Sequence, residues 1–223
     1  MMKRIQFQTM RIAILGANSP IGRKVILKAE EHGISTVLCV PSFTDIIGNG
    51  RIVIKNYSEL SFNDLKDCHY VIDTESFFNI SKYSSEDLPL WHLIETLKDT
   101  DTKVLAFGSS AFLYSGDDRR KMVIDTEDVI LDDIQNKIDR LCVNAYKRLC
   151  QCRNVKWSVL CPPLLLDMHA YGSGKIEFSN DVLPVGLNGD SYISISDFVT
   201  ASVELLKLGP KPFKCVSVRA EKS

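Results

Sequence analysis

Apolar and polar positions along the first half of the chain fall into two regimes that take turns. Short, nearly unbroken apolar runs stand at Ile12–Leu15, Thr36–Val40, Arg51–Ile54, Tyr70–Asp73 and Val104–Phe107. They are rich in Val, Ile and Leu, the composition of strands covered on both faces. Between them the period lengthens to that of a helix. From Pro20 to His32, Ile21, Val25, Ile26 and Ala29 share one face, with Pro20 in the first turn and Gly33 at the C-terminal cap. From Leu88 to Lys98, Leu90, Ile94 and Leu97 do the same. Strand and helix patterns alternating at this spacing predict βαβ units and a parallel sheet.

The second half is less regular. Asp133–Cys152 reads as one long helix through Ile134, Ile138, Leu141, Ala145 and Leu149, followed by a strand at Trp157–Cys161 and a break at Pro162–Pro163. Leu164 to Tyr192 is Gly-rich and aperiodic, longer than a mere connection, and is expected to form a substrate lobe or lid. A helix at Ser196–Leu208, N-capped by Ser196, and a strand at Phe213–Val218 complete the pattern. There is no internal repeat, so one domain over 10–223 is expected, with residues 1–9 as an N-terminal extension before Met10.

Composition narrows the function classes. With 223 residues, 45% hydrophobic and 25% charged, the chain can bury one sizeable core. Its formal net charge of -1 offers no basic footprint for nucleic acid or an anionic membrane. Seven scattered cysteines include no CxxC and no histidine at ligand spacing, which argues against zinc or any other metal and against a disulfide framework. No apolar run reaches the roughly 20 residues of a membrane helix, and the N-terminus lacks a secretory apolar region. A cytoplasmic monomer or homodimer, with neither nucleic-acid nor membrane partners, is the expectation.

The first candidate site is "RIAILGANSPIG", Arg11–Gly22, where an apolar run enters Gly16 and Gly22 opens a helix. Such a turn aims backbone N–H groups and a helix dipole at a pyrophosphate. The first glycine makes the bend, the middle one admits the phosphate, and the last lets helix pack on strand. Here Ser19 stands in the middle position, bringing a β-carbon but also a hydroxyl. A turn of this kind can equally be purely structural. The acidic residue that would hold a ribose some 20 residues on is missing from "CVPSFTD": Pro41 and Ser42 follow the strand, Asp45 comes late, and no basic residue lies between Lys28 and Arg51. This favours NAD over NADP.

Several stretches taken together are similar to a known family. "MRIAILGANSPIG" from Met10, "CHYVIDT" from Cys68, "KVLAFGSSAFLY" from Lys103, "VKWSVLCPPLLLD" from Val155, "GSGKIEF" from Gly172 and "NGDSYISISDFVTASVELL" from Asn188 resemble, in order and spacing, the atypical short-chain dehydrogenase/reductases. The branch they resemble is the NmrA-like NAD(P)-binding proteins often described as NADH-flavin reductases, which also resemble biliverdin reductase B. The resemblance implies a Rossmann-type doubly wound parallel sheet, α/β, with a small C-terminal substrate lobe. It places the family's glycine motif on Gly16, Ala17, Asn18, Ser19, Pro20, Ile21 and Gly22, with Asn18 for the usual Thr and Ser19 for Gly. The arginine of NADP-binding members falls on about Pro41. Asp73, Thr74 and Glu75 would lie along the cofactor, although an inward Glu75 would repel phosphate. Gly108, Ser109 and Ser110 would sit at the nicotinamide end, and Pro162–Pro163 would border the substrate.

The family's usual Tyr-x-x-x-Lys pair, in which Lys lowers the phenol's pKa, has one literal match, Tyr171 to Lys175. It lies in the aperiodic region, with no helix to set the two side by side. On the long helix Tyr146 is followed four residues later by Cys150. Ser109, Ser110 and Tyr114 are left as candidates to hydrogen-bond a substrate carbonyl, and His169 as a lone loop histidine. Hydride transfer to a planar acceptor such as a flavin or quinone does not require the dyad, because alignment carries it and solvent can supply the proton. The expected function is therefore an NAD(P)-dependent reductase of a small planar acceptor. The alternatives are a non-catalytic dinucleotide-binding regulator and a fold that has lost its cofactor.

Overall fold

The computed structural model describes residues 10–43, 45–126 and 132–222; the extension expected at 1–9 lies outside the described residues. Among these residues ten strands are formed: β1 (Arg11–Leu15), β2 (Ser35–Val40), β3 (Arg51–Ile54), β4 (Tyr70–Asp73), β5 (Lys103–Phe107), β6 (Trp157–Cys161), β7 (Leu165–Asp167), β8 (Ile176–Ser179), β9 (Tyr192–Ser194) and β10 (Lys214–Ala220). The α-helices are α1 (Pro20–Glu31), α2 (Phe62–Leu65), α3 (Pro89–Thr96), α4 (Asp133–Leu149) and α5 (Ile195–Leu208).

Eight strands make one sheet in the order β3-β2-β1-β4-β5-β6-β10-β8, parallel except for β8, which runs antiparallel to β10. Strand β1 pairs with β2 on one side and β4 on the other, so the strand order reverses between β1 and β4. In open α/β sheets the crevice outside that reversal is where ligands bind.

Alternation along β1 shows the double winding. Ile12 and Ile14 point into a core with Val25 and Ile26 of α1 and Phe198 and Val203 of α5, while Ala13 and Leu15 point into a second core with Leu93 and Ile94 of α3 and Val143 and Leu149 of α4. Each face is covered by helices, the arrangement that buried, Val/Ile/Leu-rich parallel strands require.

The second half departs from the sequence pattern in informative ways. Helix α4 ends at Leu149, and its buried residues are Cys142, Val143, Ala145 and Leu149, whereas Ile134 is 72% exposed. In its first turns Ile138 lines a cavity and Ile134 is left to solvent, so the apolar stripe there does not join the core as expected. Helix α5 begins one residue early, at Ile195, and its N-cap is Ser194, not Ser196: the buried Ser194 hydroxyl accepts from Asp197 N–H. The aperiodic stretch contains β7 and β8 and leads into β9, with β7 and β9 paired as a separate parallel ribbon. The last strand starts after Phe213 because Phe213 has a φ of 60°. That turn sets its ring edge-on against Trp157, with centroids 5.9 Å apart.

Candidate functional site

The turn between β1 and α1 is built by backbone constraint. Gly16 has a φ of +76°, a conformation open to glycine at little cost. A β-carbon on Gly22 would lie 2.0 Å from the Gly16 carbonyl oxygen. Ser19 is accommodated by becoming the N-cap of α1: its hydroxyl accepts from Gly22 N–H at 3.0 Å, while its own N–H donates to the Gly16 carbonyl at 2.8 Å. Pro20 has no N–H to offer, and Ala17 N–H goes to the Cys39 carbonyl. Among the described residues, neither Asn18 nor Ile21 N–H of this turn has a protein acceptor. The turn thus fits a pyrophosphate, with fewer donors than a glycine at 19 would leave.

Beside the turn lies the segment leaving β4. Thr74 donates its hydroxyl to the Leu15 carbonyl at 2.6 Å. Asp73 is buried; its Oδ1 accepts from Glu75 and Ser76 N–H, and its Oδ2 has no partner among the described residues. Glu75 is also buried and faces the glycine turn, Oε1 lying 2.6 Å from where a Gly16 β-carbon would stand. Its Oε2 accepts from Asn79 and Tyr83. Burial pushes the Glu75 carboxyl up from the ordinary carboxylate range, and neighbouring Asp73 pushes it further. The inward orientation considered from the sequence is the one observed.

The same segment continues as Phe77 and Phe78 into a cavity of about 620 Å³ beyond the C-terminal ends of β4, β5 and β6. Gly108, Ser109 and Ser110 line it from the end of β5, and Pro162 and Pro163 from the end of β6. Gly108 leaves no space for a side chain: a β-carbon would meet Val159, Cys161 and Phe112 within 2.8 Å. Ser109 Oγ accepts from Ala111 N–H, which leaves the hydroxyl proton free to point at a ligand. Ile138 and Cys142 of α4, with Val123 and Ile124, complete an apolar wall.

The structure therefore brings together Gly108, Ser109, Ser110 and Pro162 around one cavity, whereas Gly16, Asn18, Ser19, Pro20, Ile21 and Gly22 form the turn after β1 with Asp73 and Thr74 buried behind it, and none of these eight lines that cavity. Pro41 and Ser42 are exposed at the end of β2. Tyr114 stands apart, its backbone bridged to Met122 and Val182 and its ring outside the cavity lining. Tyr171 is 87% exposed and Lys175 is paired with Glu221, so those two form no dyad. Tyr146 is stacked on Phe112, with centroids 4.2 Å apart, and serves packing.

Two site residues escape a reading of the sequence. Arg23, on the first turns of α1, holds the carbonyls of Asn18 and Asp45 together across the gap between the glycine turn and the loop after β2. Asp139, on α4, reaches the cavity with Gln135, Ile138 and Cys142. The spacing 135, 138, 139, 142 is one helical face, and that periodicity was the available signal.

No protein-family model matches the chain. The uncharacterized protein YwnB of Bacillus subtilis (strain 168) is 24% identical over 203 residues, 89% of this chain and 92% of that protein. Among solved structures, a candidate NADH-flavin reductase from Streptococcus pneumoniae superimposes with a TM-score of 0.85 at 20% identity, over 95% of this chain and 100% of that one. A Rossmann-fold NAD(P)-binding family protein from Shigella flexneri gives 0.59 at 14% identity, over 95% and 94%. The fold is thus the Rossmann-type doubly wound sheet that the chain's own topology describes. No helix among the described residues is long and apolar enough to cross a membrane.

Proposed function

We propose that the protein is a nicotinamide-dinucleotide-dependent reductase of the atypical short-chain dehydrogenase/reductase, NmrA-like type, acting in the cytoplasm on a planar acceptor of the flavin or quinone class. The observation that carries this reading is a glycine turn at the β1/β4 reversal together with a cavity of mixed apolar and polar lining at the ends of β4–β6. The likeness to the Streptococcus protein supports the same reading.

In this proposal Asn18 and Ile21 N–H and the α1 dipole hold the pyrophosphate, and Gly108–Ser110 approach the nicotinamide end. A reduced nicotinamide bound there supplies a hydride. Phe77, Phe78, Pro162 and Ile138 offer flat apolar surface that excludes water from an aromatic acceptor. The Ser109 hydroxyl is placed to donate to a carbonyl. Pro41 in place of an arginine after β2 favours NAD over NADP.

Calorimetric titration with NADH, NADPH and their oxidised forms is the first test, followed by NADH oxidation with flavin mononucleotide or a quinone. Micromolar binding of NADH and turnover with a planar acceptor are expected. No binding up to millimolar concentration would overturn the proposal. Two observations favour a second reading, a non-catalytic dinucleotide-binding regulator: Glu75 and the Gly22–Ser19 cap both weaken the anion site. In that case oxidised and reduced cofactor bind with clearly different affinities and no acceptor is turned over.

A further inference from the structure

Resting on the reductase reading, we infer that Asp139 is the proton donor to the acceptor, which makes the substrate class one that takes up a proton together with a hydride, a quinone or another conjugated carbonyl. Among the described residues lining the cavity, Asp139 is the one carboxyl group. It stands on α4 two turns before Tyr146. Tyr146 is lost to packing, whereas Asp139 faces the open space beyond Ser109 and Ser110.

The carboxyl is held rather than loose. Gln135, one turn earlier, donates its amide N–H to Asp139 Oδ1 at 2.9 Å, leaving Oδ2 for the acidic proton. Apolar side chains share the cavity lining with it, Ile138 on the same helix together with Val123, Ile124 and Phe77, alongside the hydroxyls of Ser81, Ser109 and Ser110. Burial raises the acid above its ordinary value, the direction that suits a proton donor. Among the described residues the other titratable side chain lining the cavity is Cys142, whose thiol burial pushes up to about 12 and whose Sγ–H donates to the Phe77 carbonyl; it neither charges nor competes at neutral pH. The short turn Ile80–Lys82 contributes Ile80 and Ser81 to the lining, and the turn Val123–Asp125 contributes Val123 and Ile124, none of them ionisable.

A reduced nicotinamide held beside Gly108–Ser110 would supply the hydride, two electrons, that the acceptor gains, and would itself be oxidised. The Oδ2–H bond of Asp139 breaks and an O–H bond forms on the acceptor oxygen, so that a quinone leaves as a hydroquinone. Asp139 is only partly covered, and water at the cavity mouth restores its proton.

The test compares wild type with Asp139→Asn, a change that preserves shape at a partly exposed helical site. Three quantities are measured: NADH affinity, the pH profile of NADH oxidation with a small benzoquinone, and the titration of Asp139 in the free protein by carboxyl carbon-13 resonance, assigned by its loss in the variant. The expected result has four parts: unchanged NADH affinity, a rate about a hundredfold lower in the variant, a wild-type rate that falls as pH rises through a limb absent from the variant, and an Asp139 resonance titrating above the ordinary aspartate range. Equal rates and equal pH profiles in the two proteins would overturn the inference while leaving the reductase reading intact. An Asp139 resonance titrating at the ordinary aspartate value would also overturn it. A wild-type protein that binds NADH but reduces no acceptor would overturn both, and the wild-type turnover itself separates that outcome from the first.

Discussion

Ser19 is the residue at which the glycine turn departs from its usual chemistry, and its position explains how the departure is tolerated. Its β-carbon points where the hydroxyl can cap α1 through Gly22 N–H, so local folding is satisfied at the expense of a donor that a phosphate would otherwise use. Ser19→Gly should therefore cost only a few tenths of a kcal/mol in stability and tighten NADH binding by roughly three- to tenfold, read by thermal melting and calorimetry. Weaker binding in the variant would show that the hydroxyl itself contacts the ligand. From the sequence, Gly16, Gly22 and the serine at 19 are all legible, because turn and cap chemistry is local. The inward path of Glu75 and the span of Arg23 are not, since both depend on neighbours distant along the chain.

Among the elements, α5 shows best how one helix terminus can organise a lobe. Ser194 caps the helix, and Asp197, 3% exposed, receives Ser173 N–H at 2.8 Å and Gly174 N–H at 3.0 Å. The loop that leads into β8 is thereby hung from the first turn of α5. Asp197→Ala should lower stability by about 2–3 kcal/mol and the melting temperature by roughly 5–10 °C. Amide exchange should accelerate first at Ser173 and Gly174, and unchanged protection there would refute the anchoring role. The stretch "GDSYISISDF" offers three serines, Ser191, Ser194 and Ser196, ahead of Asp197. Sequence alone does not rank which of them caps, because the choice turns on where β9 stops. Helix α4 is misread for a related reason. Its apolar period is genuine, but the sheet does not extend beneath Ile134, so the stripe there meets a cavity or solvent instead of a core.

At the scale of the whole molecule, the regular first half is legible because parallel strands covered on both faces must be apolar throughout, whereas β7, β8 and β9 are short and paired out of chain order, and β7 and β8 are partly exposed. The acid pair under the glycine turn bears on the entire fold. Glu75 holds its proton more tightly in the native state than in the unfolded chain, whose value is about 4.5. Its contribution is thus fully present below that value and is lost as pH rises towards the raised native value; Asp73, also raised by burial, acts in the same direction. Glu75→Gln should flatten the decline of melting temperature above about pH 4.5 and render NADH binding less dependent on pH. Superimposable melting curves for the two proteins would exclude a buried, proton-holding Glu75. A last consequence follows from the place of β10 between β6 and β8. During synthesis the ribosome releases β8 well before the strand it pairs with, so β8 stays without its sheet partner in the nascent chain until β10 is laid between it and β6.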